Sequence, residues 1–462
     1  MRSQKITSLV EYIQRPVSIE PLVIFRIVFG CMMLFSTTRF IALGWIEEHY
    51  ILPSLHFHYF GFAWVEPLAA WAMYLVHAIM LLASIGIVLG MFYRLSTVLF
   101  FLSFTYCELI DISYYLNHYY FVSIVSGLII LLPLHRSFSL DVHWARVKAY
   151  THVPAWTKYA IMLQMSLVYF FAGIFKINYD WLVLALPLKI WLPSHYDLPI
   201  LGFIFEYKIT PYLFSWGGMI YDISIPFLLL YRNTRPWAFL SVLFFHGITG
   251  MLFQIGVFPL VMMSGTLLFF SEGFHHKLLS WLRALFTPTK VSRIKELPVA
   301  VYTYPARWNK FLLLLVGLHF TIQLLFPFRY LLYPGNLFWT EEGYRYSWRV
   351  MLMEKAGTAT FFVKDGITGK EGAVMNSDFL NLHQEKQMSM QPDMILEYAH
   401  HLAKHYEKLG VANPEVRAEV YVTLNARRSK LLVDPKVDLS KIEDSWSHKK
   451  WIINEELSAK LE

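Results

Sequence analysis

Apolar residues gather into nine runs, 20–38, 68–91, 94–110, 119–134, 157–174, 212–231, 237–252, 255–270 and 310–328, joined by short connections. Runs apolar on every face, without the alternation of a half-wetted strand, predict helices that sit in lipid rather than water. Several are shorter than the roughly 20 residues of a perpendicular span, so flanking aromatics must extend them. A further span at 201–211 would break the one-sided placement of basic residues, so "LGFIFEYK" reads as an interfacial or re-entrant piece. The expected fold over residues 1–330 is a polytopic α-helical membrane bundle of about nine transmembrane helices.

From residue 331 to Glu462 the pattern turns mixed and polar. "RYSWRVMLMEKAGTATFFVKDGITGKEGAVM" (345–375) carries two β-rich runs, with "KDGITGK" as the turn into a continuation. In "QPDMILEYAHHLAKHYEKLG", Met394, Leu396, Ala399, Leu402 and Tyr406 recur at helical intervals up to Gly410. "EVRAEVYVTLNARRSKLLVDP" alternates through Val420, Val422 and Leu424, as a half-buried strand does, then turns into another strand. These elements predict a soluble α+β domain over 331–462, tethered to the bundle.

Composition agrees: 56% of the 462 residues are hydrophobic and only 16% charged, fewer charges than a soluble surface carries. A net charge of +7 does not indicate nucleic acid here, because the basic residues flank apolar runs, where headgroups and topology account for them. Arg2, Lys5, Arg15, Arg94, Arg136, Arg146, Lys148, Lys158, Arg232, Arg235, Lys277, Arg283, Lys290, Arg293 and Lys295 all fall on one side of a nine-span chain. The positive-inside rule makes that side cytoplasmic, with the N-terminus. The connection 39–67, the segment after Lys176 and the C-terminal domain then lie on the lumenal or extracytoplasmic side. The first apolar run lacks a small-residue cleavage pattern and does not read as a cleavable signal. Cys31 and Cys107 show no metal spacing and are expected as buried free thiols.

Ionisable groups at membrane depth need a reason. Lys176, in "FAGIFKINYDW", is either a helix-end cation snorkelling to the interface or an amine held in a dry pocket as a base. His118 in "LNHYY" and His246 in "FFHGITG" are structural or catalytic with equal weight. His56 and His58 in "HFHYF", His275–His276, and His400, His401 and His405 lack a ligand pattern, and no metal is expected. No phosphate-binding, dinucleotide or zinc-protease motif occurs.

"LASIGIVLGMFYRLSTVLF", "NHYYFVSIVSGL", "THVPAWTKYA", "VYFFAGIFKINYDW", "GYRYSWRVM", "VKDGITGKEG" and "VYVTLNARRSKLLVDPKVD" together resemble the vitamin K-dependent γ-glutamyl carboxylases over most of the chain. The resemblance implies an enzyme of carbon–carbon ligase or lyase type. It would use reduced vitamin K (the hydroquinone), O2 and CO2 to carboxylate glutamates of a protein or peptide, coupled to quinone epoxidation. It implies Lys176 as the base acting on the hydroquinone, and His118 and His246 as catalytic and cofactor-binding residues. Tyr344 would serve the cofactor and the glutamate, Arg427 would grip the substrate carboxylate, and Lys355 would stand in for a family arginine. Departures are Met353, Glu354 and Lys355 where the family has His-Ser-Arg, and Phe175 where it has the first of two lysines. The cysteine pair of animal members has no counterpart, which leaves propeptide capture open, and the oligomeric state is open too. Two alternatives stand beside this reading: a quinone-epoxidising membrane oxidoreductase without protein carboxylation, and a transporter or inactive scaffold, for which no internal repeat speaks.

Overall fold

A computed structural model describes residues 8–199, 202–253, 255–286 and 299–455; Arg2, Lys5, Lys290, Arg293 and Lys295 lie outside the described residues. Among the described residues, ten helices of eight or more residues build the first part: α1 Glu20–Ala42, α2 Ala70–Leu89, α3 Tyr93–Ile110, α4 Asn117–Leu131, α5 Ala155–Ile174, α6 Thr210–Leu230, α7 Arg235–Leu252, α8 Phe258–Gly265, α9 Glu272–Phe286 and α10 Ala306–Leu325.

The expectation of nine spans is not met. Among the described residues, five helices are long and apolar enough to cross a membrane: α1, α2, α5, α6, and α10 with its continuation to Leu332. The run 119–134 yields α4, of only 15 residues, and the run 255–270 breaks into the eight-residue α8 and a 3-10 turn. At 1.5 Å per residue neither reaches the roughly 30 Å of a hydrocarbon core. α3 carries Arg94 and Glu108, and α7 carries Ser241, His246 and Thr249. Apolarity misled because a run can be apolar yet fold into a helix too short, or too interrupted by polar side chains, to cross on its own. The 201–208 stretch contributes a 3-10 turn at Gly202–Glu206 rather than a span.

Two ends of the bundle differ sharply. At one, β1 (Pro16–Ser18) pairs antiparallel with β2 (His152–Pro154), His152 bridges to Val301, and the Ser18 amide donates to Glu272 at 3.0 Å. The basic residues around Arg15, Arg136 and Lys158 belong to these segments. At the other end, loops 46–67, 111–117 and 176–198 meet the C-terminal domain through His58–Glu397, Gln384–Asp111 and Trp191–Glu354 hydrogen bonds. Charge placement along the chain groups the connection 39–67 and the segment after Lys176 with that domain.

That domain is a four-stranded antiparallel sheet, in the order β4 (Glu371–Ala373), β3 (Lys355–Lys364), β5 (Glu415–Leu424), β6 (Lys430–Leu431). Residues 355–364 pair with 424–415 without interruption. Val416, Ala418, Val420, Val422 and Leu424 all point inward, as the two-residue period requires, and meet α11 (Pro392–Lys408), which buries Met394, Ile395, Tyr398, Ala399 and Leu402. Leu55, Phe57, Tyr59 and Ile112 from the bundle loops complete this core. The first expected β-run, 345–351, is no strand: Tyr346, Trp348 and Met351 take positive φ of 58°, 60° and 53°. Cys107 is buried, but Cys31 is exposed rather than buried.

Candidate functional site

Helix α5 ends at Ile174, and two residues later Lys176 turns back toward the bundle instead of out to the interface. Its Nζ donates to the Ala172 carbonyl at 3.1 Å and to Asp222 Oδ2 of α6 at 2.7 Å, with Lys176 6% and Asp222 4% exposed. The pair exists because α5 and α6 approach closely at Gly173, where a Cβ would lie 2.7 Å from the Ile223 amide nitrogen. Asn178 accepts from the Trp181 amide at 2.9 Å, starting a short helical turn. That turn sets the indole 5.4 Å from Lys176 Nζ, with its Nε1 donating to the Ser215 carbonyl.

Lys176, Asp222, His118 and His246 share one largely apolar cavity of about 250 Å³, walled also by Val168, Phe214, Phe245, Phe258 and Met262. Three residues singled out in the sequence therefore converge from α4, α5 and α7. His246 Nε2 lies 2.8 Å from the Tyr169 hydroxyl, while its Nδ1 is buried without a partner. With the tyrosine donating into Nε2, the ring proton sits on Nδ1, leaving a donor for a bound oxygen. His118 stacks on Phe258 at 5.5 Å. An apolar chamber holding a lysine and one imidazole nitrogen without a partner fits a quinol, whose ring is apolar and whose oxygens are not. Sequence reasoning passed over Asp222 and Tyr169. The signal for Asp222 was there, since a carboxylate inside the 212–231 run requires a partner.

A second, more polar cavity of about 660 Å³ lies at the junction with the C-terminal domain and shares Leu116, Asn117 and Met351 with the first. Tyr344 and Lys355 line it, with Arg345 and Arg349. The partition is the strap 344–353. Trp348 donates to Gln323 at 3.2 Å, the Tyr346 amide to the Tyr115 hydroxyl at 2.9 Å, and Asn117 Nδ2 to the Arg349 carbonyl at 2.9 Å. These bonds hold three left-handed residues, each costing on the order of 1 kcal/mol.

Lys355 donates to Glu341 Oε1 at 2.7 Å and to the Trp339 carbonyl. Arg427 lines neither cavity: its two terminal nitrogens grip both oxygens of Asp180. Burial pushes the Asp180 carboxyl up, but the Arg427 and Asn425 hydrogen bonds outweigh it and hold it below the ordinary carboxylate range. Among the described residues no three His, Cys, Asp or Glu side chains gather as a metal site. His400 bonds the Ile442 carbonyl, and His401 stacks on His405 at 6.3 Å.

An HTTM domain model matches residues 14–274, more than half of the chain, and a model of the vitamin K-dependent gamma-carboxylase lumenal domain matches residues 308–457. No solved structure matches the chain. With the membrane helices, the lumenal-domain match makes this a multi-pass membrane protein with an extracytoplasmic C-terminal domain.

Proposed function

The chain belongs to the vitamin K-dependent γ-carboxylase family, and from that premise we propose that it carboxylates protein glutamate using vitamin K hydroquinone, O2 and CO2. The observation that carries this reading is the single apolar cavity holding Lys176, Asp222, His118 and His246. Bound there, the hydroquinone supplies the oxygen-dependent chemistry that generates a base strong enough for a glutamate γ-proton. This chain's residues do the rest. Lys176 and Asp222 form a pair that is neutral as it stands. Once the shared proton passes from Nζ to Asp222, the uncharged Lys176 amine takes the hydroquinone proton, and the pair becomes a cation facing the oxygen that gave the proton up, an attraction made strong by the dry surroundings. Lys176 is the base in this reading, and Asp222 holds its amine in place. His246, oriented by Tyr169, donates from Nδ1 to a cofactor oxygen, and His118 positions the ring from the opposite wall.

The glutamate enters the junction cavity, where Tyr344 and the cations lie. Its γ-carbon reaches the cofactor chamber across the shared Asn117 and Met351 wall. Apolar residues around Lys176 keep water from protonating the carbanion before CO2 arrives. The clustering of Arg15, Arg136 and Lys158 at the end away from the C-terminal domain supports placing the N-terminus in the cytoplasm.

Purified protein in detergent, given reduced vitamin K, O2, labelled bicarbonate and a glutamate peptide, is expected to fix label into the peptide. Lys176→Ala is expected to lower that rate by about 10²- to 10⁴-fold. Epoxide without fixed label would replace this reading with a quinone-epoxidising oxidoreductase; neither product, under conditions that support a working carboxylase, would remove both.

A further inference from the structure

Lys386 lines the junction cavity but is exposed; of Lys355, Arg345, the nearby Arg427 and Arg349, the first three already hold a carboxylate. Lys355 is paired with Glu341, Arg345 with Asp393, and Arg427 with Asp180. Arg349 differs. It is 3% exposed, and its guanidinium lies 3.6 Å from the Phe175 ring centroid and 4.4 Å from that of Tyr330. Its Nη1 donates to the Pro327 carbonyl at 3.2 Å. Among the described residues no carboxylate stands within ion-pair distance of it. The guanidinium also hydrogen-bonds the Tyr330 side chain, but neither that group nor the Pro327 carbonyl carries a charge to offset the cation, in a setting where an unpaired cation is costly.

We propose that Arg349 is the receptor for the substrate glutamate's γ-carboxylate. The assignment rests on the carboxylase reading above and sharpens its substrate side. Position supports it. Arg349 lines the junction cavity, while its ring partner Phe175 directly precedes Lys176 and the following residues Val350 and Met351 line the cofactor cavity. A carboxylate gripped there lies beside the wall between the chambers, next to the Tyr344 phenol. The aromatic faces of Phe175 and Tyr330 hold the fork by cation–π attraction without neutralising it, which a carboxylate partner would do. Phe175 stands where the family resemblance expects a lysine, and a second cation at that position would repel Arg349. Burial lowers the Arg349 value to about 10, so the group stays charged at neutral pH. The backbone makes the placement specific: Trp348 and Met351 on either side are left-handed, and Asn117 holds the Arg349 carbonyl.

The test is equilibrium binding of a fluorescent glutamate peptide, and of its glutamine counterpart, to the full-length protein in nanodiscs without hydroquinone. The unmodified protein is expected to prefer the glutamate peptide at least tenfold. Arg349→Gln is expected to erase that preference, whereas Arg349→Lys, which keeps a cation over the Phe175 ring but loses the fork, retains part of it. Arg427→Gln is expected to leave the preference intact. Equal binding of the two peptides to unmodified protein overturns the proposal without any variant, as does an undiminished preference in either Arg349 variant that stays folded by thermal melt. A preference abolished by Arg427→Gln alone moves the receptor to Arg427. Label fixation by unmodified protein, measured separately, tells failure of this assignment from failure of the carboxylase reading.

Discussion

Lys176 and Asp222 are 8% and 6% exposed at their side chains and 2.7 Å apart, so neither charge has water to fall back on. Removing one partner of such a pair costs about 3–5 kcal/mol, while replacing both with uncharged groups of similar size is often neutral. Asp222→Asn is therefore expected to lower thermal stability in detergent and to cut label fixation about as deeply as Lys176→Ala. The double variant Lys176→Met with Asp222→Asn should regain most of the stability and none of the activity. Melting curves and single-turnover label fixation check both halves; a double variant as unstable as Asp222→Asn would show that the pair is not coupled in this way. Lys176 was legible as either an anchor or a base. Its pairing was not, because the partner lies 46 residues away on another helix.

Gly173 sets the distance between α5 and α6. A methyl group there would sit 2.6 Å from Ile223 Cγ1 and 2.7 Å from the Ile223 amide nitrogen, and a backbone atom cannot rotate aside. Gly173→Ala is expected to separate the helices, cost about 1–3 kcal/mol, and lengthen the Lys176–Asp222 contact. Activity should fall by about tenfold or more, since small misplacements of a reacting group are costly. A variant that melts lower yet turns over at the unmodified rate would show that the spacing does not matter to the chemistry. At this scale the sheet was legible, because Val416 to Leu424 alternate with a two-residue period. The strap 344–353 was not: β-prone side chains there sit on a backbone bent by three left-handed residues, which bonds from Tyr115, Asn117 and Gln323 fix in place. Four of the nine apolar runs failed as spans for another reason: 119–134 and 255–270 form helices too short to cross, and 94–110 and 237–252 carry polar side chains.

Across the whole molecule, the C-terminal domain is clasped to the bundle by Arg427 and Asn425 on Asp180, two residues from the start of the stretch Asn178–Trp181 that shapes the Lys176 pocket. The Asp180 carboxyl is held below its ordinary value, so its contribution is present above the unfolded value of about 3.9 and is lost as pH falls through the folded one. Arg427→Gln should lower the melting temperature at pH 7 by the equivalent of about 1 kcal/mol, as for a partly exposed pair. The difference from unmodified protein should shrink below about pH 4, where Asp180 takes up its proton without the arginine's help. A penalty that stays constant from pH 7 to pH 3 would mean that Arg427 acts through packing rather than through this carboxylate.

By itself the sequence determined that this is a membrane protein with an appended α+β domain, because the length of apolar runs and the period of alternation are local properties of the chain. It also carried the family and brought Lys176, His118 and His246 forward as candidate site residues. Only the tertiary structure decided how many helices are long and apolar enough to span, that Lys176 has a carboxylate partner, and that Arg427 and Lys355 are already paired while Arg349 is not. Those facts depend on which distant groups a side chain meets, and an ion pair or a guanidinium without a carboxylate is a property of neighbours that no local pattern encodes.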